Sequence, residues 1–411
     1  MIHSVLISGA GIAGPVLASL LARHGVQVTV VETANAVRTG GQAVDLRGAG
    51  RTVLARMGLL ERAVAVSLKQ QGIADVDTTG RHLSEMTVSD FGGEGIISEI
   101  EILRGDLAEL IVADSKDHGA DYRFGTRILR LDDSGDAVQV ELSDGSLERV
   151  DLVVGADGPH SATRALAFGD ESEFVRPLGG YMAWFSAPEG ESLHGWYAMY
   201  NEPGLVASLR PGRHSGTGKG SLSFLSEPID YDRHNLDEQR ALLRSRFAGA
   251  GWRTADLLDA ADDADDFSLD ALVQVHMSRW SRGRAVLLGD AAYCPSPLTG
   301  LGTSLALVGA HVLAGELTSQ PEVGAALTRY EELVRPYVAT AQQLPPGGIR
   351  GFAPAGRTAI WLRIMSTRLM VSKPFRGLAR RLFFSKSDAV TLPEYATSTP
   401  ATSADPPAEA E

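Results

Sequence analysis

A glycine-rich turn near the start of the chain constrains the fold more than any other feature. The turn reads Gly9-Ala10-Gly11-Ile12-Ala13-Gly14 and follows the short apolar run Val5-Leu6-Ile7. Apolar residues then recur at helical spacing, at Val16, Leu17, Leu20 and Leu21. Glycines at this spacing let the backbone turn sharply and approach a pyrophosphate, which the N–H groups of the following helix then bind. The pattern predicts the strand–turn–helix unit of a dinucleotide-binding fold.

Glu32 indicates which nucleotide this unit binds. It ends the second apolar run, roughly 20 residues after the turn, where such folds place a carboxylate. A carboxylate there accepts the ribose hydroxyls and repels a 2′-phosphate, so FAD or NAD is predicted. Two other interpretations stay open: a glycine turn without a nucleotide, and a membrane span or signal peptide in the uncharged residues 4–22. The second is disfavoured because no basic segment precedes the run and Pro15 interrupts it.

Composition excludes several classes of protein. The chain has 411 residues and a formal net charge of −13, so it is long enough for two domains and too acidic to favour nucleic acid. Cys294 is the single cysteine, which excludes an internal disulfide framework and a cysteine-based zinc site. The histidines lack the paired spacing of metal ligands, so we expect no metal. A reducing, cytoplasmic location is expected.

Two later segments repeat the pattern of a buried strand that ends in a carboxylate. They read Val153-Val154-Gly155-Ala156-Asp157-Gly158 and Val286-Leu287-Leu288-Gly289-Asp290, and Gly300-Leu301-Gly302 follows before a long apolar helix. An NAD dehydrogenase has no use for the last segment, but a flavin needs acceptors such as Asp290 for its ribityl hydroxyls. The anionic N1–C2=O edge of a reduced flavin also needs N–H donors and a positive helix end, which Leu301 and Gly302 supply. FAD is therefore predicted as the bound cofactor.

With these three segments in order, the chain resembles the class A flavin monooxygenases, the p-hydroxybenzoate hydroxylase-like aromatic hydroxylases. The resemblance covers about residues 1–75, 100–175 and 275–330. Within that group, Arg38-Thr-Gly-Gly41-Gln-Ala-Val-Asp45-Leu is similar to the corresponding stretch of the tetracycline-inactivating monooxygenases. The resemblance implies that Asp45, Arg104 and Asp290 contact FAD and that Arg38 meets the incoming NADPH. The alternatives are a solvated Arg38 and a surface ion pair for Arg104.

The resemblance also implies a loop beside the flavin ring. Its candidate residues are Tyr293, Pro297, Gly300, Leu301 and Gly302, and no catalytic side chain is assigned among them. Two positions depart from the family. Tyr293 stands where histidine is usual, and Leu307-Val308-Gly309 stands where an acidic residue is expected. Both departures bear on loop movement and helix packing rather than on flavin binding.

We predict an α/β fold with a Rossmann-type FAD-binding domain and a second domain of antiparallel sheet plus helices. The FAD-binding domain is expected to be discontinuous, over residues 1–75, 100–175 and 270–340, with the substrate-binding domain at 76–99 and 176–269. Short alternating runs with strong turn signals at 176–226 predict the antiparallel sheet. The acidic run Asp262–Asp266 is interpreted as a solvated loop.

The C-terminal part is predicted to hold a basic amphipathic helix within residues 350–385, which Pro374 ends. Its apolar stripe is Trp361, Met365 and Leu369. The helix either lies on a membrane surface or, as we prefer, bridges the two domains and closes the pocket. Residues 389–411, rich in Thr, Ser, Pro, Ala and Glu, are expected to be disordered.

Aromatic residues are dense in the predicted antiparallel sheet and are candidates for a pocket that holds a flat ligand, against the alternative of ordinary core packing. They are Tyr181, Trp184, Trp196, Tyr197, Tyr200 and Phe224.

The predicted activity is that of a flavin hydroxylase. NADPH or NADH visits transiently and reduces FAD, and a flavin C4a-hydroperoxide then passes oxygen to an aromatic, phenolic or polyketide-like small molecule. Two alternatives stay open: a flavin-dependent reductase of isoprenoid double bonds, and a non-catalytic protein that binds FAD and a ligand. We expect a monomer or a homodimer, and Cys294 as a small apolar residue.

Overall fold

Two large sheets organise the chain in the computed structural model, which describes residues 2–38, 40–87, 90, 100–189, 193–375, 377 and 391–395. The first sheet has six strands: β1 (Ser4–Ser8), β2 (Gln27–Glu32), β7 (Asp121–Phe124), β11 (Leu152–Gly155), β17 (Ser281–Arg282) and β18 (Ala285–Leu287). Their order across the sheet is β17-β18-β11-β1-β2-β7, and all neighbours except β17 and β18 are parallel.

Both faces of the six-stranded sheet are covered, which explains the continuous apolar runs of its central strands. The core on one face includes the helices α1 (Ala13–Ala22), α2 (Gly48–Arg56), α4 (Arg104–Asp117), α9 (Gly302–Ser319) and α10 (Val323–Ala341). On the other face lies an antiparallel sheet of β8 (Ile128–Asp133), β9 (Val138–Leu142) and β10 (Leu147–Val150). Leu6 and Val31 point into that second core, whereas Ile7 and Val30 point toward the helices.

The second large sheet has seven strands, which are antiparallel except for one parallel pair, β13 with β4. In order across the sheet they are β16 (Ser268–Val275), β12 (Val175–Pro188), β15 (Thr217–Leu225), β14 (Leu205–Pro211), β13 (Trp196–Glu202), β4 (Gly72–Val76) and β5 (His82–Thr87). Helices α6 (Leu236–Arg246) and α7 (Thr254–Asp263) cover one face. The opposite face packs against α11 (Gly348–Phe352) and the short 3-10 turn Pro297–Thr299.

The remaining elements are short or peripheral. The strands β3 (Ala43–Asp45) and β6 (Glu101–Leu103) form an antiparallel pair. The helices are α3 (Leu60–Ala65), α5 (Ala162–Phe168), α8 (Asp290–Tyr293) and α12 (Arg357–Val371), and Glu171–Glu173 forms a 3-10 turn. None of the helices in the described part of the chain is both long enough and apolar enough to cross a bilayer.

The predicted α/β fold class is confirmed, but sheet membership differs from the predicted boundaries in two segments and at Val175, the first residue of β12. The strand β4 places residues 72–75 in the seven-stranded sheet, and β16 does the same for 270–275. The sheet to which β4 and β16 belong depends on pairing with strands distant in sequence, which a local sequence pattern does not show. Residues 88–89 and 91–99 of the predicted 76–99 segment lie outside the described residues. The division into two domains stays a prediction.

The acidic run is also not the solvated loop that was expected. Asp262 and Asp263 end α7, and Asp266 accepts hydrogen bonds from Lys219 at 2.5 Å and from the backbone of Ser186 at 2.7 Å. Burial acts to raise the pKa of Asp266, but Lys219 and Ser186 lower it overall. Among the described residues, no group of three or more acidic, histidine or cysteine side chains could hold a metal.

The helix α12 is attached to the second sheet through arginines rather than through the predicted apolar stripe. Trp361 is 57% exposed and Leu369 is 52% exposed. Arg363 instead donates to buried Asp75 and to Asn201, each at 2.5 Å. The helix ends at Val371, before the predicted Pro374, and residues 376 and 378–385 lie outside the described residues. The bridging role predicted for this helix stays a prediction.

The prediction of a disordered tail is wrong for residues 391–395. Leu392 is 8% exposed, and Arg56 donates to the carbonyl of Pro393 at 2.8 Å. The Tyr395 ring lies where a side chain at Gly315 of α9 would be, and its hydroxyl donates to Glu316 at 2.8 Å. Composition could not reveal this docking, because it depends on a small residue that leaves space on a distant helix. The other residues of 389–411 lie outside the described part.

Candidate functional site

The glycine turn and the two turns that carry Asp157 and Asp290 follow three adjacent strands, β1, β11 and β18. Ser8 pairs with Gly155, and Gly155 pairs with Leu287, so the strands end at the same edge of the sheet. Ligands of open parallel sheets bind outside this carboxyl edge. The turns pack closely: Gly9 has φ 111°, and a side chain there would overlap the carbonyl of Ala156. Only glycine fits that backbone and that space.

The glycine turn leads directly into α1, whose first turn carries no acidic residue. Its N–H groups and positive dipole end are therefore not neutralised by the chain itself. Glu32 lies beside this turn: its carboxylate accepts from the backbone N–H of Ala10 and of Ala34, each at 2.9 Å. This placement fits the predicted acceptor for the ribose hydroxyls.

Arg104 reaches the same turn from the first position of α4. Its Nη2 atom lies 3.0 Å from the position that a Cβ on Gly11 would take. Burial lowers the pKa of Arg104, the Asp290 carboxylate acts to raise it, and nearby Arg38 acts to lower it. A cation between the glycine turn and Asp290 is suited to the negative charge of a pyrophosphate. The surface ion pair considered for Arg104 does not fit this position.

Asp290 opens α8 directly after Gly289, which has φ 64° and packs against the first turn of α1 near Ala13. One Asp290 oxygen lies 3.9 Å from the position of a Cβ on Gly302. Burial raises the pKa of Asp290, and Arg104 opposes that shift. Asp290 therefore lies between the positive end of α9 and the predicted pyrophosphate site. That is the arrangement a flavin dinucleotide needs, and the residues present fit it.

The Asp157 carboxylate binds the start of the next helix. Both oxygens accept hydrogen bonds at the start of α5, one from Ser161 and the other from the backbone and hydroxyl of Thr163 at 2.9 Å. These bonds satisfy backbone and hydroxyl donors at the start of the helix. Gly158 follows with φ 84° and has no neighbouring atom within 4 Å of a Cβ position. The second turn thus contributes backbone packing, and a contact of Asp157 and Gly158 with the cofactor stays a prediction.

Arg164 is a buried residue that ties the second turn to the third. Its guanidinium donates to the carbonyl of Ala291 at 3.0 Å and to that of Pro159 at 2.6 Å. Burial lowers its pKa, with Glu171 opposing. Sequence reasoning assigned Arg164 no role, although a charged residue inside an otherwise apolar helix start is a detectable signal.

The loop 294–302 lies between α8 and α9. Gly300 adopts the left-handed conformation, and a Cβ there would lie 3.4 Å from Asp45 Oδ2, so Asp45 lies beside the loop. Pro297 is exposed, and the preceding Ser296 has φ 80°, which is uncommon for a residue other than glycine. Burial raises the pKa of Cys294 well above its usual value, which matches an unreactive apolar residue.

Tyr293 does not lie in the loop beside the flavin site. It is 1% exposed, packs against Trp280 at a ring distance of 4.6 Å, and contacts Tyr330 through a 3.0 Å hydrogen bond. Its hydroxyl occupies the space beside Gly309 of α9. The two departures from the family therefore face each other, and the absent side chain at Gly309 makes room for the larger ring at Tyr293.

Four of the aromatic pocket candidates belong to the core on the helix-covered face of the seven-stranded sheet. Tyr181 stacks on Phe224 at 5.3 Å, and Tyr200 lies 6.2 Å from Trp252. Trp196 packs against the same core. Alternate residues of a strand point to opposite faces, and the sequence alone did not show which face meets the nucleotide fold. These four side chains fit the alternative of ordinary core packing rather than a pocket.

Trp184 and Tyr197 lie on the opposite face, which meets the flavin-side loop and α11. Trp184 packs in a cluster with Met182 and Leu298. The Arg210 guanidinium lies 3.9 Å above the Tyr197 ring, and the Tyr197 hydroxyl is 3.1 Å from Ser208 Oγ. Arg210 was missed, although a basic residue within the alternating strand β14 is a usable signal. Burial acts to lower its pKa, but Glu101 and Tyr197 raise it overall.

Arg38 is exposed and close enough to Arg104 to affect its pKa. The neighbouring Gly40 approaches Asp266 so closely that a side chain at Gly40 would overlap the carboxylate. The loop therefore lies where the nucleotide fold meets the seven-stranded sheet. An exposed arginine at this place fits the predicted encounter with NADPH.

Comparison with known proteins agrees with this geometry. Residues 3–343 match the FAD binding domain family. A flavin-dependent monooxygenase of Legionella longbeachae is 32% identical over 395 residues, which covers 96% of this chain and 98% of that protein. The crystal structure of the tetracycline destructase Tet(51) aligns with a TM-score of 0.80 at 30% identity, and covers 96% of this chain and all of the other.

The structure of Klebsiella pneumoniae HpxO complexed with FAD and uric acid has the same fold. Its TM-score is 0.71 at 23% identity, and it covers 92% of this chain and 96% of the other. The resemblance to the class A flavin monooxygenases is confirmed, and FAD is the cofactor. The chain belongs to the FAD binding domain family and is a flavin-dependent monooxygenase.

Proposed function

We propose that the enzyme hydroxylates an electron-rich aromatic, phenolic or polyketide-like small molecule, with NADPH or NADH as the transient reductant. The observation that carries this proposal is the contact of Arg210 with the Tyr197 ring, on the sheet face that meets the loop 294–302 and α11. When bound, FAD supplies the activation of dioxygen. The chain supplies the position and charge of the substrate.

Arg210 provides a fixed positive charge in a place that is 15% exposed. A guanidinium there orients a substrate through an anionic oxygen and favours the phenolate or enolate form, whose carbon is more electron-rich. Trp184, Met182 and Leu298 supply an apolar wall that suits a flat ligand and limits the access of water. Arg38 supplies a cation at the surface for the phosphate of a visiting pyridine nucleotide.

The test begins with the FAD-loaded protein and a panel of phenols and polyketides that includes tetracycline. A substrate should accelerate NADPH oxidation, consume dioxygen and give a product that is heavier by one oxygen atom. A protein that oxidises NADPH without consuming dioxygen, or that ignores every compound, would contradict the proposal.

The role of Arg210 is tested with Arg210→Ala and a matched control. Loss of a charge-assisted contact worth about 1.5–3 kcal/mol should lower kcat/KM by roughly 10- to 150-fold, while FAD content is unchanged. Arg246→Ala is the control, because Arg246 lies 5.4 Å from the Phe224 ring, on the face covered by helices. Equal activity of the two variants would refute the assignment.

A further inference from the structure

Two carboxyl groups face each other between the nucleotide fold and the substrate side. Asp45 of β3 pairs directly with Glu101 of β6 in an antiparallel ladder. Side chains of such a pair lie on the same face and close together. Glu101 is 7% exposed, and the Asp45 side chain is 16% exposed. One oxygen of each, Oδ1 of Asp45 and Oε2 of Glu101, is buried and accepts no hydrogen bond from the protein.

The charges around the pair come from two directions. Arg47 donates to Asp45 Oδ2 at 2.8 Å, and Arg210 Nη1 lies 3.5 Å from Glu101 Oε2. Burial raises the pKa of Glu101 to about 7, Arg210 opposes the shift, Asp45 adds to it, and Arg47 opposes it. Burial and the neighbouring Asp45 carboxylate therefore favour the protonated form of Glu101.

The pair also connects the two parts of the site. Asp45 lies beside Gly300 of the flavin-side loop. Glu101 lies beside Arg210, whose guanidinium covers the Tyr197 ring on the substrate side. A substrate oxygen held by Arg210 is therefore within reach of the Glu101 carboxyl.

We propose that Asp45 and Glu101 form one proton-sharing base, which takes the proton of the substrate hydroxyl before oxygen transfer. This inference rests on the proposed hydroxylation. In the step, the substrate O–H bond breaks, its electron pair stays on the substrate oxygen, and the proton joins the Glu101 carboxylate beside Asp45. No electron is transferred. Arg210 then faces the oxyanion, and the proton returns to solvent after product leaves.

The first experiment measures the pair itself. The FAD-loaded enzyme is titrated from about pH 5 to about pH 9 and followed by infrared difference spectroscopy. A C=O band of a protonated carboxyl group should disappear near pH 7. The band should be absent in Glu101→Gln, which keeps the shape but cannot ionise. No titrating carboxyl in wild type would overturn the proposal.

The second experiment measures turnover of a phenol whose hydroxyl has a pKa of about 10, like that of tyrosine. Wild-type kcat/KM should rise as pH increases through about 7, because the ionised pair is the base. In Glu101→Gln this rise should vanish, and kcat/KM at neutral pH should fall by roughly 100-fold or more. For a phenol that is already ionised at the assay pH, kcat/KM of Glu101→Gln should fall far less. Asp45→Asn should shift the rise to lower pH, since the charge of Asp45 raises the pKa of Glu101.

Glu316→Gln is the matched control. Glu316 of α9 is also buried, but it accepts a hydrogen bond from the Tyr395 hydroxyl. It should keep the wild-type pH profile. A wild-type profile in Glu101→Gln, or an equal loss for neutral and ionised phenols, would overturn the inference. Failure of the proposed function looks different: wild type would then oxygenate no compound, and the infrared titration would still decide whether the pair shares a proton.

Discussion

Replacement of Gly309 by alanine should destabilise the protein, although alanine is the better helix former. A Cβ at Gly309 would lie 2.0 Å from the Tyr293 hydroxyl, a separation that no folded protein tolerates. Tyr293 is buried, so its ring cannot move without breaking the 3.0 Å hydrogen bond to Tyr330. Tyr330 in turn donates to the carbonyl of Leu287 at 3.2 Å, at the end of a central strand.

The size of the effect follows from three contributions. Overpacking of a dense core costs about 1–3 kcal/mol, and loss of the hydrogen bond costs about 1 kcal/mol. The higher helix propensity of alanine stabilises the helix by about 1 kcal/mol relative to glycine. Gly309→Ala should therefore lower the free energy of unfolding by about 1–3 kcal/mol. The Tyr293→Phe/Gly309→Ala double variant should recover much of this, because the ring carbon that remains would be 3.3 Å from the new Cβ.

The assay is thermal and urea unfolding of the FAD-loaded protein, followed by circular dichroism and by release of flavin fluorescence. Gly324→Ala in α10 is the matched control, since no atom lies within 4 Å of a Cβ there, and it should be neutral or stabilising. The double-mutant cycle should give an interaction free energy of about 1–2 kcal/mol between positions 293 and 309. A Gly309→Ala protein as stable as Gly324→Ala, or a cycle without interaction, would refute the reasoning.

Three further substitutions have distinct expected outcomes. Asp290→Ala should give folded, largely colourless protein, because Asp290 lies near Arg104 at the predicted flavin site. Visible absorbance and circular dichroism measure this, and a fully yellow product would contradict it. Arg363→Ala should lower the free energy of unfolding by roughly 2–3 kcal/mol, since it leaves buried Asp75 without its cation, and urea unfolding against wild type tests it. Tyr395→Phe should speed proteolysis of the C-terminal segment through loss of the bond to Glu316, and unchanged cleavage would contradict the docking.

The cofactor half of the site could be predicted from the sequence because each of its elements is local. A strand, a glycine turn and a helix N-terminus occupy consecutive residues, and the three such segments end adjacent strands of one sheet. The glycine spacing is required because a side chain would overlap the backbone of a neighbouring turn, as at Gly9. The constraint is therefore visible in a few consecutive residues. Glu32 and Arg104 accordingly lie beside the glycine turn and Asp290 lies near Arg104, while their contacts with FAD stay a prediction.

Other features could not be predicted because they depend on contacts between distant residues. The docking of Tyr395 needs the space at Gly315, and the capping role of Asp157 needs the positions of Ser161 and Thr163 in three dimensions. Sequence reasoning also made no prediction for α10, a 19-residue helix whose pattern Pro336 interrupts.

The aromatic residues of the second sheet show why it is hard to predict from sequence which face of a sheet a strand residue points to. Tyr181 and Trp184 are three residues apart on β12 and therefore point to opposite faces, one to the core under α6 and α7 and the other to the loop 294–302. Either assignment satisfies the alternating pattern, because both faces of this sheet are covered. The choice is made by packing of Leu298 and Ile349 against one face. A charged residue breaks this symmetry. Arg210 on β14 pairs with Glu101 of β6, so a buried charge within a strand indicates which face meets the nucleotide fold.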